Sequence, residues 1–213
     1  MKTKKYIVRV LYAFTIYFFI SESIKQIMLY QENGSYDWWH FPFQLCSMPL
    51  YDLPLYLFLR NRKEKAAKAI ATFMMTYAGL GGIIVFLDTT GLHFTNRFLT
   101  CNSYLWHIMM IVLSLFLYRC AETDLTMIGY GKVCGIYLIH ATIATFFNIT
   151  FRSRGSINMF YISPYQKMNQ IVFKEIGEHI GNSNVIVLYI VMSLLGGGIV
   201  MFLYHLMERR KEC

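Results

Sequence analysis

Six stretches of the chain are each long and apolar enough to cross a bilayer, and this constrains the fold more than any single residue does. They run over about residues 6–30, 41–60, 66–87, 99–118, 129–151 and 184–207. Crossing about 30 Å of hydrocarbon at ~1.5 Å per residue takes roughly 17–25 apolar residues. Lipid offers no water to an unpaired backbone group, so a continuous apolar block of this length reads as a helix. The blocks use up most of the 213 residues and leave no soluble domain of useful size. Only 15% of the residues are charged, against about 25% in ordinary soluble domains. The expected fold is all-α: one six-span transmembrane domain over residues 1–213, with a kinked second helix.

The net charge of +8 does not point to nucleic acid, because of where the cations sit. Lys2, Lys4, Lys5 and Arg9 open the first span, and Arg60, Arg62, Lys63, Lys65 and Lys68 lie between the second and third. Arg119 and Lys132 flank the next loop on that side, and Arg209, Arg210 and Lys211 follow the last span. The opposite side holds Arg97, Arg152, Arg154, Lys167 and Lys174. This is the positive-inside pattern and predicts both termini in the cytoplasm, as an even number of spans also requires. The localisation expected is therefore a multi-pass integral membrane protein, in the cell membrane if the host is bacterial. The N-terminal basic and apolar run lacks a small-x-small cleavage site and reads as the first span, not a signal peptide. The five cysteines are scattered, with no Cys-x-x-Cys pair, which argues against a disulfide framework and against a zinc site.

One loop stands apart. Residues 152–183 are polar and unusually long for a compact bundle, the kind of segment that is functional or mobile. A weak helical pattern within 165–180 predicts a piece lying on the membrane surface. Gly79, Gly81 and Gly82, and Gly196 to Gly198, sit inside apolar spans, where glycine lets helices approach closely. The second span holds Pro42, Pro49 and Pro54. Interior prolines remove backbone hydrogen bonds and bend a helix, so this span is expected to face protein or a cavity rather than lipid.

Polar residues from four spans share one depth near the outer side. They are Glu22, Lys25 and Gln26 on the first, Gln44 and Cys46 on the second, His107 on the fourth and Asn148 near the end of the fifth. Asp52 and His140 fall nearer the midplane. Ionisable groups in a membrane are costly and face the bundle interior, which makes them functional candidates. Ser103, His107 and Ser114 form one helical stripe, and Thr15, Glu22 and Gln26 another. Such stripes also serve as plain interhelical hydrogen-bonding seams, and a free cysteine is commonly just a small buried hydrophobe. Taken together they predict a polar cavity. A histidine within reach of Cys46 would take the thiol proton and leave a thiolate nucleophile, then act as general base on an acceptor.

The run Phe43-Gln44-Leu45-Cys46-Ser47, followed by proline and tyrosine, resembles the YwaF-like integral membrane family, which includes transmembrane protein 164-like chains. Trp106-His107, Asn148, and the piece from Asn158 to Pro164 occur in the expected order. The resemblance implies a phospholipid acyltransferase with Cys46 as nucleophile and His107 as its partner. The residues themselves predict that Gln44, Asn148 and Asn158 hold a carbonyl oxygen or a head group, and that Glu22 and Lys25 bind substrate. No metal and no cofactor is called for. The partners expected are membrane phospholipid and lysophospholipid and the bilayer itself, with no nucleic acid. Two other readings stay open: water as acceptor gives a lipid hydrolase, and a polar cavity without chemistry gives a transporter or a ligand-binding bundle.

Overall fold

The computed structural model describes residues 5–212, with side chains through Glu208. Lys2, Lys4 and the side chains of Arg209, Arg210 and Lys211 lie outside the described residues. Seven α-helices follow in order: α1 Lys5–Asn33, α2 Pro49–Leu59, α3 Glu64–Ile84, α4 Arg97–Cys120, α5 Met127–Thr150, α6 Phe173–Ile180 and α7 Asn182–Glu212. No strand occurs among the described residues. Five of the helices (α1, α3, α4, α5 and α7) are long and apolar enough to cross a membrane. Their outward faces carry Ile16, Ile139, Phe146, Val187, Ile199 and Phe202, all more than half exposed. Lipid, not water, suits such a surface.

The helix α3 is the centre of the bundle. Its apolar window is 61% buried inside the protein, against 17% for that of α7, and it packs on α2, α4, α5 and α7. Small residues make this possible. A Cβ added at Gly79 would lie 2.7 Å from Ser114 Oγ, and one at Gly82 would lie 2.9 Å from the His107 carbonyl oxygen. On the α7 side, a Cβ at Gly197 would meet the Tyr77 hydroxyl at 3.0 Å. The glycines of both spans therefore act as contact surfaces. Polar seams finish the fit: Ser114 Oγ donates to the Met75 carbonyl at 2.5 Å, and Tyr77 Oη donates to the Ser193 carbonyl at 3.3 Å.

The second expected span departs from a kinked helix. Residues 41–44 are irregular, a 3₁₀ turn covers Leu45–Ser47, and α2 runs for only 11 residues. At 1.5 Å per residue that is roughly 17 Å, short of the hydrocarbon thickness. Pro49 is the first residue of α2, where its missing N–H costs no helical bond. Pro54 alone is interior to the helix, and Pro42 lies in the irregular stretch. Pro49 thus marks where a helix begins, and of the three prolines only Pro54 sits where a helix would bend.

The long loop is folded in part. Ile157, Asn158, Met159, Phe160, Ile162 and Ser163 are all buried, and the chain turns sharply through left-handed conformations at Phe160 (φ 56°) and Tyr161 (φ 58°). The short helix α6 follows with no buried residue. Gly181, at φ 84°, joins it to α7.

Candidate functional site

Irregular backbone deep in a membrane protein must find hydrogen-bond partners from side chains. At the end of the bundle where α1 finishes and α4 begins, five carbonyls do so. Gln26 Nε2 donates to the His40 carbonyl at 2.7 Å, and Tyr51 Oη to the Pro42 carbonyl at 2.8 Å. Trp106 Nε1 donates to the Cys46 carbonyl at 3.1 Å, and Gln44 Nε2 to the Asn158 carbonyl at 2.9 Å. Asn148 Nδ2 donates to the Met159 carbonyl at 3.0 Å. Aromatic contacts add to the hold, with Trp38 stacked on Phe151 at 5.3 Å and Phe43 tilted on Phe160 at 6.0 Å. The segment before α2 is therefore pinned to α1, α4, α5 and the loop, and Cys46 sits near its end, in the turn that leads into α2.

His107 reaches the same place from α4. This helix runs antiparallel to α1, with Phe18 edge-on to Trp106 at 4.7 Å and Ser21 Oγ donating to Asn102 Oδ1 at 2.9 Å. His107 Nδ1 lies 2.8 Å from the Ser103 carbonyl. A carbonyl only accepts, so Nδ1 carries the proton and Nε2 keeps its lone pair. Among the described residues Nε2 has no hydrogen-bond partner. The bond to Ser103 thus fixes both the ring's orientation and its basic nitrogen.

Cys46 and His107 line one cavity of about 560 Å³, along with Glu22, Lys25, Gln44 and Ser103. Its volume is in the range of ligand sites. Glu22 is 6% exposed, pairs with Lys25 Nζ at 2.8 Å and accepts from Gln26 Nε2 at 2.6 Å. The walls also include Glu32, Asp37, Trp39, His40, His93 and Tyr161. Burial holds the His40 imidazole below its ordinary range despite the nearby Asp37 carboxylate, and burial pushes the Tyr161 phenol up to about 12.

Of the residues expected at the site, Glu22, Lys25, Gln44, Cys46 and His107 come together around this cavity. Asn148 and Asn158 do not line it. Asn148 is fully buried and closes a pair of hydrogen bonds with Met159, accepting from its N–H at 2.7 Å as well. Asn158 accepts from the Ser163 N–H at 2.9 Å and is held by Gln44 through its carbonyl. They shape the loop that brings Tyr161 to the cavity wall. Asp52 and His140, expected near the midplane, pair at 3.5 Å between α2 and α5, with Asp52 buried and His140 half-buried.

Ser103 lines the cavity beside His107, as their shared stripe predicts, whereas sequence reasoning did not foresee His40 and Tyr161 as cavity walls or the bond from Trp106 to the Cys46 carbonyl. For Trp106 a signal existed: an indole N–H at this depth needs an acceptor, and the proline-rich segment opposite had carbonyls to spare.

The fold and site define a polytopic helical membrane protein with a polar cavity that holds a cysteine beside the start of a short helix and a histidine with a free ring nitrogen. Residues 1–205 match the TMEM164 family, and the chain belongs to that family. Comparison with curated proteins and with solved structures finds no match to the chain.

Proposed function

We propose that this protein is a lipid acyltransferase that carries a fatty-acyl chain on Cys46, with His107 as its base. One observation carries the reading: Cys46 and His107 line a single cavity, with the neighbouring Trp106 bonded to the Cys46 carbonyl and His107 Nε2 unoccupied. In the first step Nε2 takes the thiol proton and the sulfur attacks the ester carbonyl of a phospholipid. The ester C–O bond breaks, the imidazolium returns its proton to the departing lysolipid oxygen, and a thioester remains. In the second step Nε2 takes the proton of a lysophospholipid hydroxyl, whose oxygen attacks the thioester. The C–S bond breaks and the proton goes back to sulfur. No electron transfer and no cofactor enters.

Lys25 and Glu22 serve the head group, with Lys25 offering its ammonium to a phosphate. Gln44 borders the acyl carbonyl. Asn148 and Asn158 act on substrate through the wall they build. For topology, we read the irregular segment and α2 together as a sixth crossing, supported by the charge pattern, which would leave both termini in the cytoplasm.

The test is acyl trapping in vesicles containing a phospholipid with an alkyne-tagged chain. Wild type is expected to acquire a hydroxylamine-sensitive label that added lysophospholipid discharges. Cys46→Ala should lose the label and His107→Ala should acquire it far more slowly. A wild type that never labels, or a label that survives in Cys46→Ala, overturns the mechanism and leaves a ligand-binding bundle. Discharge by water alone would make the protein a lipid hydrolase.

A further inference from the structure

A second concavity of about 430 Å³ opens between α1 and α2, lined by Phe19, Glu22, Ser23, Gln26, Ile27, Pro42, Leu50 and Tyr51. It differs in kind from the polar cavity. Its floor is apolar, with Leu50 only 5% exposed, and its rim is open, with Ile27 58% and Phe19 48% exposed. Those rim residues lie on the outward, lipid-facing side of α1. The two spaces share walls: Glu22 and Pro42 line both. Between them stands Gln26, whose amide reaches Glu22 on one side and the His40 carbonyl on the other. Tyr51, bonded to the Pro42 carbonyl, fixes the far edge.

We propose that this groove is the seat of the substrate's acyl chain and the portal through which a bilayer phospholipid reaches Cys46 sideways. The inference rests on the acyl-transfer reading and adds where the chain lies. A lipid has two parts that cannot share one environment. The polar cavity suits a head group but is a poor place for hydrocarbon, which is favoured where apolar surface leaves water for apolar surroundings. The α1–α2 groove offers an apolar floor at the same depth and opens to the bilayer, where hydrocarbon chains are the bulk solvent. A phospholipid lying across Glu22 and Pro42 would place its head group beside Lys25, its chain over Leu50 and its ester between the two spaces, on the Cys46 side.

The experiment uses the full chain in phosphatidylcholine vesicles doped with a phospholipid carrying a diazirine near the end of its chain. Photolysis and peptide mapping report which residues touch the chain, and chemistry at Cys46 is not needed for the readout. Crosslinks are expected at residues 19–27 and 50–51, in wild type and Cys46→Ala alike. They should exceed those on the lipid-facing surface of α5 around Ile139 and Phe146. Ser23→Trp and Ile27→Trp, which fill the groove from its open rim, should each lose them while the α5 background persists. Crosslinks no denser in the groove than on α5, or unchanged by either tryptophan, overturn the proposal. If thioester still forms from a water-soluble short-chain ester in that event, the acyl-transfer mechanism survives the failure of the groove. If the groove labels but no thioester ever forms, the chain site stands and the mechanism falls.

Discussion

Gly82→Ala would test whether the contact between α3 and α4 places His107. A Cβ there would lie 2.9 Å from the His107 carbonyl oxygen and 2.8 Å from Ile111 Cγ1. Comfortable contacts fall near 3.5–4.0 Å, so α4 must retreat by roughly 0.6–1 Å at this turn. Two effects oppose each other in stability. Replacing a glycine within a helix gains about 0.8–1 kcal/mol, while overpacking costs about 1–3 kcal/mol. The obstructing atom is backbone and cannot rotate aside, so overpacking outweighs the gain and a net loss of up to about 2 kcal/mol is expected. The effect on chemistry should be larger, since a displacement near 1 Å at a reacting group costs on the order of 10²-fold in rate. Gly81→Ala is the internal control, because its Cβ would meet only the flexible end of Met110 at 3.4 Å. Thermal unfolding in detergent and the rate of Cys46 thioester formation should separate the two variants. Equal rates and equal midpoints in both would refute the reasoning.

Three further perturbations probe the supports of the site. Trp106→Phe strands the Cys46 carbonyl, which should destabilise by about 1–3 kcal/mol and slow Cys46 labelling; unfolding midpoints and thiol kinetics at wild-type values would refute the bond's role. Asn148→Leu removes both hydrogen bonds to Met159, a loss on the order of 2–4 kcal/mol. Amide exchange over residues 157–163 should accelerate, and unchanged protection would show that the loop is held otherwise. His40, whose folded imidazole is held below its ordinary range by burial, makes stability depend on pH. The unfolded chain binds its proton near ~6.5 while the folded chain does not. The contribution is therefore full above that value and is lost as pH falls toward the folded pKa. The thermal midpoint should drop between about pH 7.5 and about 5.5, and His40→Gln should flatten that slope; an unaltered slope in the variant would count against it.

The long helices were legible because length and apolarity alone specify them, and their bounds fall within a few residues of the expected spans. Grouping was legible too, since rise per residue brings side chains of neighbouring helices together: Glu22, Lys25, Gln44, Cys46 and His107 line one cavity. Direction was not. Asn148 and Asn158 turn their amides to the loop backbone, and nothing in their spacing separates a group that waits for ligand from one that satisfies the backbone. The prolines of the second span carried the same ambiguity, since Pro49 fits either a bend or a helix start. The pairing of Asp52 with His140 depends on how α2 and α5 are rotated, which becomes fixed only when both pack on α3.

The central position of α3 bears on how the chain is made. The Ser193 carbonyl that accepts from its Tyr77 hydroxyl lies 116 residues beyond Tyr77, and α4, α5 and α7, on which it packs, are all synthesised after it. Lipid must therefore shelter α3 while those partners are still being translated, as separately inserted helices allow. The contact of α3 with α7 waits for α7 to be made, and the cavity's histidine takes up its place only after α4 has docked on the glycines of a helix inserted before it.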